Sequence, residues 1–195
     1  MKSLIIIPAR YNSSRFPGKP LADINGKTMI ERVYSACLQS SADDVVVATE
    51  NEEIYNEVTR YGKAVYTSAD CQTGTERVIE AFENISGNDY DIIVNIQGDE
   101  PFILPEDIDS LISNANQYGD ISTLVTSLNE SESTDRNVVK CISDYTNACM
   151  FTRSPLYRPS KIVYKHIGTY AFRRESLEKI KSLNLKTTNE VAESL

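Results

Sequence analysis

Three stretches of the chain combine residue types that can grip and turn over a phosphorylated ligand. The first, Pro8-Ala9-Arg10-Tyr11-Asn12-Ser13-Ser14-Arg15-Phe16-Pro17-Gly18-Lys19-Pro20, gathers cations, hydroxyls and a flexible Gly into one connection. A triphosphate needs such a lining. Arg forks pair phosphate oxygens bidentately, Lys supplies a point charge, and backbone N–H groups fill the remaining sites. The pattern is neither G-x-x-x-x-G-K-[ST] nor G-x-G-x-x-G. A solvated basic loop is the alternative, although loops this long in compact domains are usually functional. The second stretch, Asn95-Ile96-Gln97-Gly98-Asp99-Glu100-Pro101, sets the carboxylate of Asp99 beside a Gly that lets another group approach. One such carboxylate completed by phosphates and water suits Mg2+; an acidic turn capping the next helix is the other reading. In the third, Asp70 to Arg77, Gly74 and Thr75 offer N–H groups and a hydroxyl at a helix start, and Arg77 follows within one turn. A plain helix cap would look the same.

These segments need a scaffold, and the hydrophobic pattern supplies one. Leu4-Ile5-Ile6-Ile7, Val45-Val46-Val47-Ala48, Ala64-Val65-Tyr66 and Ile92-Ile93-Val94-Asn95-Ile96 read as strands, the longer runs as strands buried on both faces. Helices are expected between them: after an N-cap at Thr28 with Glu31 three residues on, from Asn51 to Arg60, from Thr75 to Asn84, and from Pro105 to about Gln117. This order implies an α/β fold with a parallel, doubly wound sheet. Ligands bind such sheets at the carboxyl ends of strands. The three chemical stretches follow the first, third and fourth strands, so all should reach the same edge. Beyond Gln117 the rhythm changes. Ile121–Ser127, Val138–Ser143, Ala148–Thr152 and His166–Phe172 read as strands of a mixed or antiparallel addition, and 129–135 as a polar loop.

The 195 residues fit one domain, with 41% hydrophobic and 25% charged residues as in ordinary globular proteins. A net charge of -8 argues against a general nucleic-acid or membrane-surface binder. It leaves an anionic small substrate open, because a few placed cations dominate locally. Cys37, Cys71, Cys141 and Cys149 are scattered, and with the single His166 they form no zinc spacing. Reduced thiols in a cytoplasmic protein are expected. The apolar run that stops at Pro8 is too short for a signal peptide, and no stretch approaches membrane-spanning length.

Taken together, Ile7-Pro8-Ala9-Arg10, Arg15 to Leu21, Thr73-Gly74-Thr75-Glu76-Arg77, Gln97 to Pro101 and His166-Ile167-Gly168-Thr169-Tyr170 resemble the CMP-Kdo synthetases, the 3-deoxy-manno-octulosonate cytidylyltransferases. The likeness runs from Ile5 to about Leu195. It implies a Rossmann-like nucleotide-diphospho-sugar transferase fold, mostly parallel at its centre and mixed towards the C-terminus. Residues 1–117 would form the nucleotide-binding half and 118–195 a sugar-binding and dimerisation portion. The implied reaction moves CMP from CTP to the anomeric hydroxyl of Kdo and releases pyrophosphate, in a Mg2+-dependent homodimer serving lipopolysaccharide or capsule synthesis.

By motif, Arg10, Arg15 and Lys19 would hold the CTP phosphates. Gly74, Thr75 and Arg77, with the backbone near Ala9, would recognise cytosine. Asp99 would bind the metal, and Gln97 would lie near both sugar and nucleotide. Arg153, His166 and Tyr170 would receive the sugar, with Glu190 and Glu193 on a helix, starting near Thr188, that borders its pocket. Such chemistry rests on neutralising charge and aligning the attacking hydroxyl. Arg10 and Lys19 would stabilise the charge developing on pyrophosphate.

The resemblance also implies about forty to fifty further residues, for a fuller domain size. They would carry a Gly-Val-Asp-Thr-type segment with a second metal-binding aspartate, and the connection from Arg153 to His166 is shorter than expected. Two alternatives stand beside the leading one: a related acceptor, sialic-acid-like or an amino-substituted Kdo, or a non-catalytic nucleotide-binding or dimerising remnant.

Overall fold

The computed structural model describes residues 1–12, 16–85, 89–119, 121–157 and 162–183. Strand β1 (Ser3–Pro8) is buried along its whole length, because each of its two faces is covered. Leu4 and Ile6 project to one side, where Val78, Ala81 and Phe82 of a following helix meet them with Ile93, Phe172 and Leu177. Ile5 and Ile7, at the alternate positions, take the other side, as the two-residue period of a strand requires. Each fully buried aliphatic side chain of this kind contributes about 1.5–3 kcal/mol relative to exposure.

After β1 the chain makes a 3-10 turn (Lys19–Leu21) and a short hairpin of β2 (Asp23–Ile24) and β3 (Lys27–Thr28). Helix α1 (Met29–Cys37) starts where expected: the Thr28 hydroxyl accepts the Glu31 N–H at 3.3 Å. It buries Ile30, Val33, Tyr34 and Cys37, whereas Leu38 is exposed where the helix ends. Then come β4 (Asp44–Thr49), α2 (Glu52–Thr59), β5 (Ala64–Tyr66), α3 (Gly74–Asn84), β6 (Ile92–Asn95) and α4 (Pro105–Gln117). The caps are sequence-encoded: Asn51 accepts from Ile54 N at 3.1 Å and Thr73 from Glu76 N at 3.1 Å.

Contacts divide the chain into two compact units, Met1–Ser122 with Thr169–Ser182, and Thr123–Gly168 with Leu183 onwards. In the first, β5, β4, β1 and β6 pair in that order and in parallel. The C-terminal half of β10 (Val163–Arg173) adds antiparallel beside β6, with Tyr170 opposite Asn95. The fold is therefore α/β with a mostly parallel sheet and an antiparallel addition, as expected.

The second unit is antiparallel. It contains most of β7 (Ile121–Ser127), then α5 (Glu130–Ser133), β8 (Lys140–Ser143), β9 (Ala148–Thr152) and the N-terminal half of β10. The strands after residue 120 were anticipated. The polar segment 129–135, read as a loop, contains the α5 turn instead, held by Glu132 accepting the Asn129 N–H at 3.0 Å.

Helix α6 (Arg174–Ser182), in the first unit, was not anticipated. Its apolar stripe is only Leu177 and Ile180, too short to stand out, and an Arg174–Glu178 pair one turn apart supports it. The helix expected near Thr188 lies outside the described residues. Among those described, no helix is long and apolar enough to cross a membrane.

Ile93 sits fully buried in β6, in the cluster with Val78, Phe82 and Leu177 on one face of the sheet. Ile93→Ala should lower unfolding free energy by about 2–5 kcal/mol, measured by urea denaturation.

Candidate nucleotide-binding cleft

Pairing of β1 with its neighbours does not stop at the strand ends. Ala9 N donates to Ala48 O at 2.9 Å and Gly98 N to Pro8 O at 3.3 Å, so the loops after β1, β4 and β6 leave the sheet together. Gly98 suits this close approach. A Cβ at that position would lie 3.0 Å from Pro8 O and 3.2 Å from Ile30 Cδ1. Gly18 closes the mouth of the basic loop by donating its N–H to Tyr11 O at 2.9 Å, at a φ of 70° that favours glycine. The 3-10 turn that follows presents Lys19, whose Nζ lies 2.6 Å from Asp99 Oδ2. The two anticipated partners, basic loop and carboxylate, thus meet.

A cleft of about 170 Å³ opens beside them, lined by Pro8–Arg10, Cys71–Gly74, Arg77 and Gln97. Gly74 lies against the Gln97 amide, which a Cβ would approach to 3.0 Å. Gln97 in turn donates to Asn95 Oδ1 at 3.1 Å. Arg10 is exposed and makes no ion pair among the described residues. Arg77 is its opposite. Only 4% exposed, it sets Nη1 2.9 Å from Glu50 Oε2 and donates to Thr67 Oγ1 at 2.5 Å and Ser68 O at 3.3 Å. The Cys71 thiol, pushed up to about 11 by burial and by its hydrogen bond to Glu80, is a neutral donor rather than a nucleophile. All four cysteines are free.

This combination has a counterpart among known proteins. The family profile described as Cytidylyltransferase matches residues 4–194. The chain belongs to the cytidylyltransferase family. A 3-deoxy-manno-octulosonate cytidylyltransferase of Parabacteroides distasonis is 45% identical, the match covering 100% of this chain and 84% of that protein. An 8-amino-3,8-dideoxy-manno-octulosonate cytidylyltransferase of Shewanella halifaxensis is 42% identical over 95% of this chain and 80% of that protein. A solved CMP:2-keto-3-deoxy-manno-octonic acid synthetase complexed with CTP superposes with a TM-score of 0.90 at 38% identity, covering 100% of this chain and 83% of that one. The resemblance drawn from the motifs is thus the one the whole chain shows, and it makes the protein a nucleotidyltransferase.

Of the residues expected to act, Ala9, Arg10, Gly74, Arg77 and Gln97 line one cleft, and Lys19 and Asp99 pair at the same sheet edge. Thr75 lies in the first turn of α3 behind the N-cap Thr73. Arg15, Glu190 and Glu193 lie outside the described residues. Tyr170 is in the first unit, stacked on Phe172 with ring centroids 5.8 Å apart. Arg153 and His166 are in the second, one residue beyond Thr152 and Lys165, which flank Lys140 in register. Arg153 Nη1 donates to Asn137 O at 3.1 Å.

Two residues of the cytidylyltransferase were overlooked in the sequence. Glu50 sits after β4, whose short connection reads as a helix start. Lys140 is fully buried in β8, its Nζ donating to Asp135 O at 2.8 Å and Arg153 O at 3.0 Å. A lone cation between Val138-Val139 and Cys141-Ile142 was the available signal for the latter.

His166 packs on Phe151 with ring centroids 4.5 Å apart and shares a 2.9 Å hydrogen bond with Thr123 Oγ1. Burial lowers its imidazole to about 4, so it is neutral at pH 7. The folded value lies below the ordinary imidazole value of 6.5, so unfolding takes up a proton as the medium is acidified. Its contribution to stability is complete above the unfolded pKa and falls away as pH drops from there to about 4. NMR titration of this single histidine should show an unprotonated ring at pH 5.5. A midpoint near 6.5 would contradict the buried setting.

Proposed function

We propose that this cytidylyltransferase transfers CMP from CTP to the anomeric hydroxyl of Kdo and releases pyrophosphate. The observation that carries the reading is the convergence of Arg10, the Lys19–Asp99 pair and the Gly74–Arg77 helix start on the carboxyl ends of parallel strands. The named relatives support the choice of nucleotide and sugar.

Arg10, with no ion-pair partner among the described residues, faces the cleft as an available cation for the triphosphate. Lys19, held at the same sheet edge by its partly exposed pair with Asp99, is a second cation that a phosphate can recruit as charge develops on the leaving group. Gly74 leaves room at the start of α3 for a base to approach its N–H groups, and Gln97 bounds the same space. Neutral His166 suits it to accept or donate a hydrogen bond to a sugar hydroxyl, while Arg153 suits a sugar carboxylate.

Asp99 fits a Mg2+ ion. It is a half-exposed carboxylate at the phosphate edge, and Mg2+ takes one or two carboxylates with phosphates and water rather than an all-protein cage. When bound, such an ion neutralises and polarises the phosphates. On this reading residues 1–117 handle the nucleotide and 118–195 the sugar and the dimer contacts, in the cytoplasm, upstream of lipopolysaccharide or capsule. Exposed Val125 and Met150 on the strands of the second unit support a homodimer through that part of the chain.

An amino-substituted Kdo is the second acceptor to consider, because the Shewanella halifaxensis relative, named for that sugar, is nearly as similar. Pyrophosphate release from CTP and Mg2+ should depend on an added acidic sugar, and kcat/KM for Kdo against 8-amino-3,8-dideoxy-Kdo decides between them. CTP binding by a folded protein with no release for either sugar would instead indicate a non-catalytic nucleotide binder. Asp99→Ala should abolish turnover and leave the circular dichroism spectrum unchanged; activity near wild type would remove Asp99 from the metal site.

A further inference from the structure

Glu50 touches both sides of the nucleotide cleft without lining it. Its Oε1 accepts the Tyr11 N–H at 3.0 Å, in the peptide immediately after Arg10, and its Oε2 lies 2.9 Å from Arg77 Nη1. The Glu50 side chain is 14% exposed and that of Arg77 4%, so the pair is shielded from solvent. Arg77 is further held by Thr67 and Ser68 from the loop after β5. One carboxylate therefore joins the loop that bears Arg10 to the helix that bears Gly74.

The pair also sorts the charges of the cleft. Arg10 makes no ion pair among the described residues and offers its full charge, which suits phosphates. Arg77 has its charge cancelled by Glu50 and offers hydrogen-bond donors in a fixed direction, which suits an uncharged polar group such as a pyrimidine ring.

We propose that Glu50 is a positioning residue for nucleotide binding, one that aims Arg77 at the base end of the ligand and holds the Arg10–Tyr11 peptide at the phosphate end. The proposal rests on the nucleotide reading of the cleft. Glu50→Gln separates its two functions, because the amide oxygen still accepts from Tyr11 whereas the amide NH2 then opposes the Arg77 donor. Glu50→Ala removes both.

The test compares wild type, Glu50→Gln and Glu50→Ala at 15 °C (roughly 30 °C or more below a typical domain melting point), with folding checked by circular dichroism. CTP and sugar KM, kcat, and inhibition by CMP and by pyrophosphate are measured for each. For Glu50→Gln the expected result is a CTP KM and a CMP inhibition constant raised about ten- to a hundredfold, the range a small misplacement of a binding group produces. Its pyrophosphate inhibition and sugar KM should stay near wild type. Glu50→Ala should weaken pyrophosphate as well. A folded Glu50→Gln with unchanged CTP and CMP constants overturns the proposal, as does a Glu50→Gln that cannot fold, since the pair would then serve stability alone. Wild type that binds no nucleoside triphosphate overturns the nucleotide reading itself, and the role of Glu50 with it.

Discussion

Gly98 comes within hydrogen-bonding reach of Pro8, and the rest of the candidate nucleotide edge depends on that approach. The 3.3 Å contact from Gly98 N to Pro8 O extends the β1–β6 ladder past the end of the strands. It brings the basic loop and the Asp99 turn side by side, and a Cβ at position 98 would crowd the Pro8 carbonyl at 3.0 Å. The same extension occurs on the other side of β1, where Ala9 N reaches Ala48 O and leaves Glu50 under Tyr11. A buried central strand with paired neighbours thus turns three distant stretches of sequence into one rim.

Charges on that rim are arranged by depth. Lys19 and Asp99 are partly exposed, at 34% and 50%, and a surface pair of this kind contributes at most about 1 kcal/mol. Either partner is easily recruited by an incoming phosphate or metal ion. Arg77 and Glu50 are shielded, and separating them would strand a charge in a poorly solvated place. The shallow pair can exchange partners while the deep pair holds still, which is the division of labour a binding site needs.

Much of this was legible in the amino-acid order. β5, β9 and α4 occupy the expected residues, and Pro105 at the first position marks the start of α4. Arg10, Lys19, Asp99, Gly74 and Gln97 were readable because they follow buried strands in long or glycine-bearing loops. Glu50 was hidden by its place before the Asn51 cap, where an acidic residue has an ordinary explanation. Its role comes from partners 39 and 27 positions away in sequence, at Tyr11 and Arg77. Lys140 was hidden similarly, since only tertiary packing turns a strand lysine into a buried donor to two carbonyls. Helix α6, with only Leu177 and Ile180 as its apolar stripe, carries too short a period to be read locally.

The measurement that bears most directly on the cleft is a crystal structure of the protein grown with CTP and Mg2+. Triphosphate density against Arg10 and Lys19, with Lys19 released from Asp99 and the cytosine against the Gly74–Arg77 turn, is the predicted result. A nucleotide bound elsewhere on the first unit, or one that leaves Arg10 and Lys19 without a phosphate contact, would contradict it.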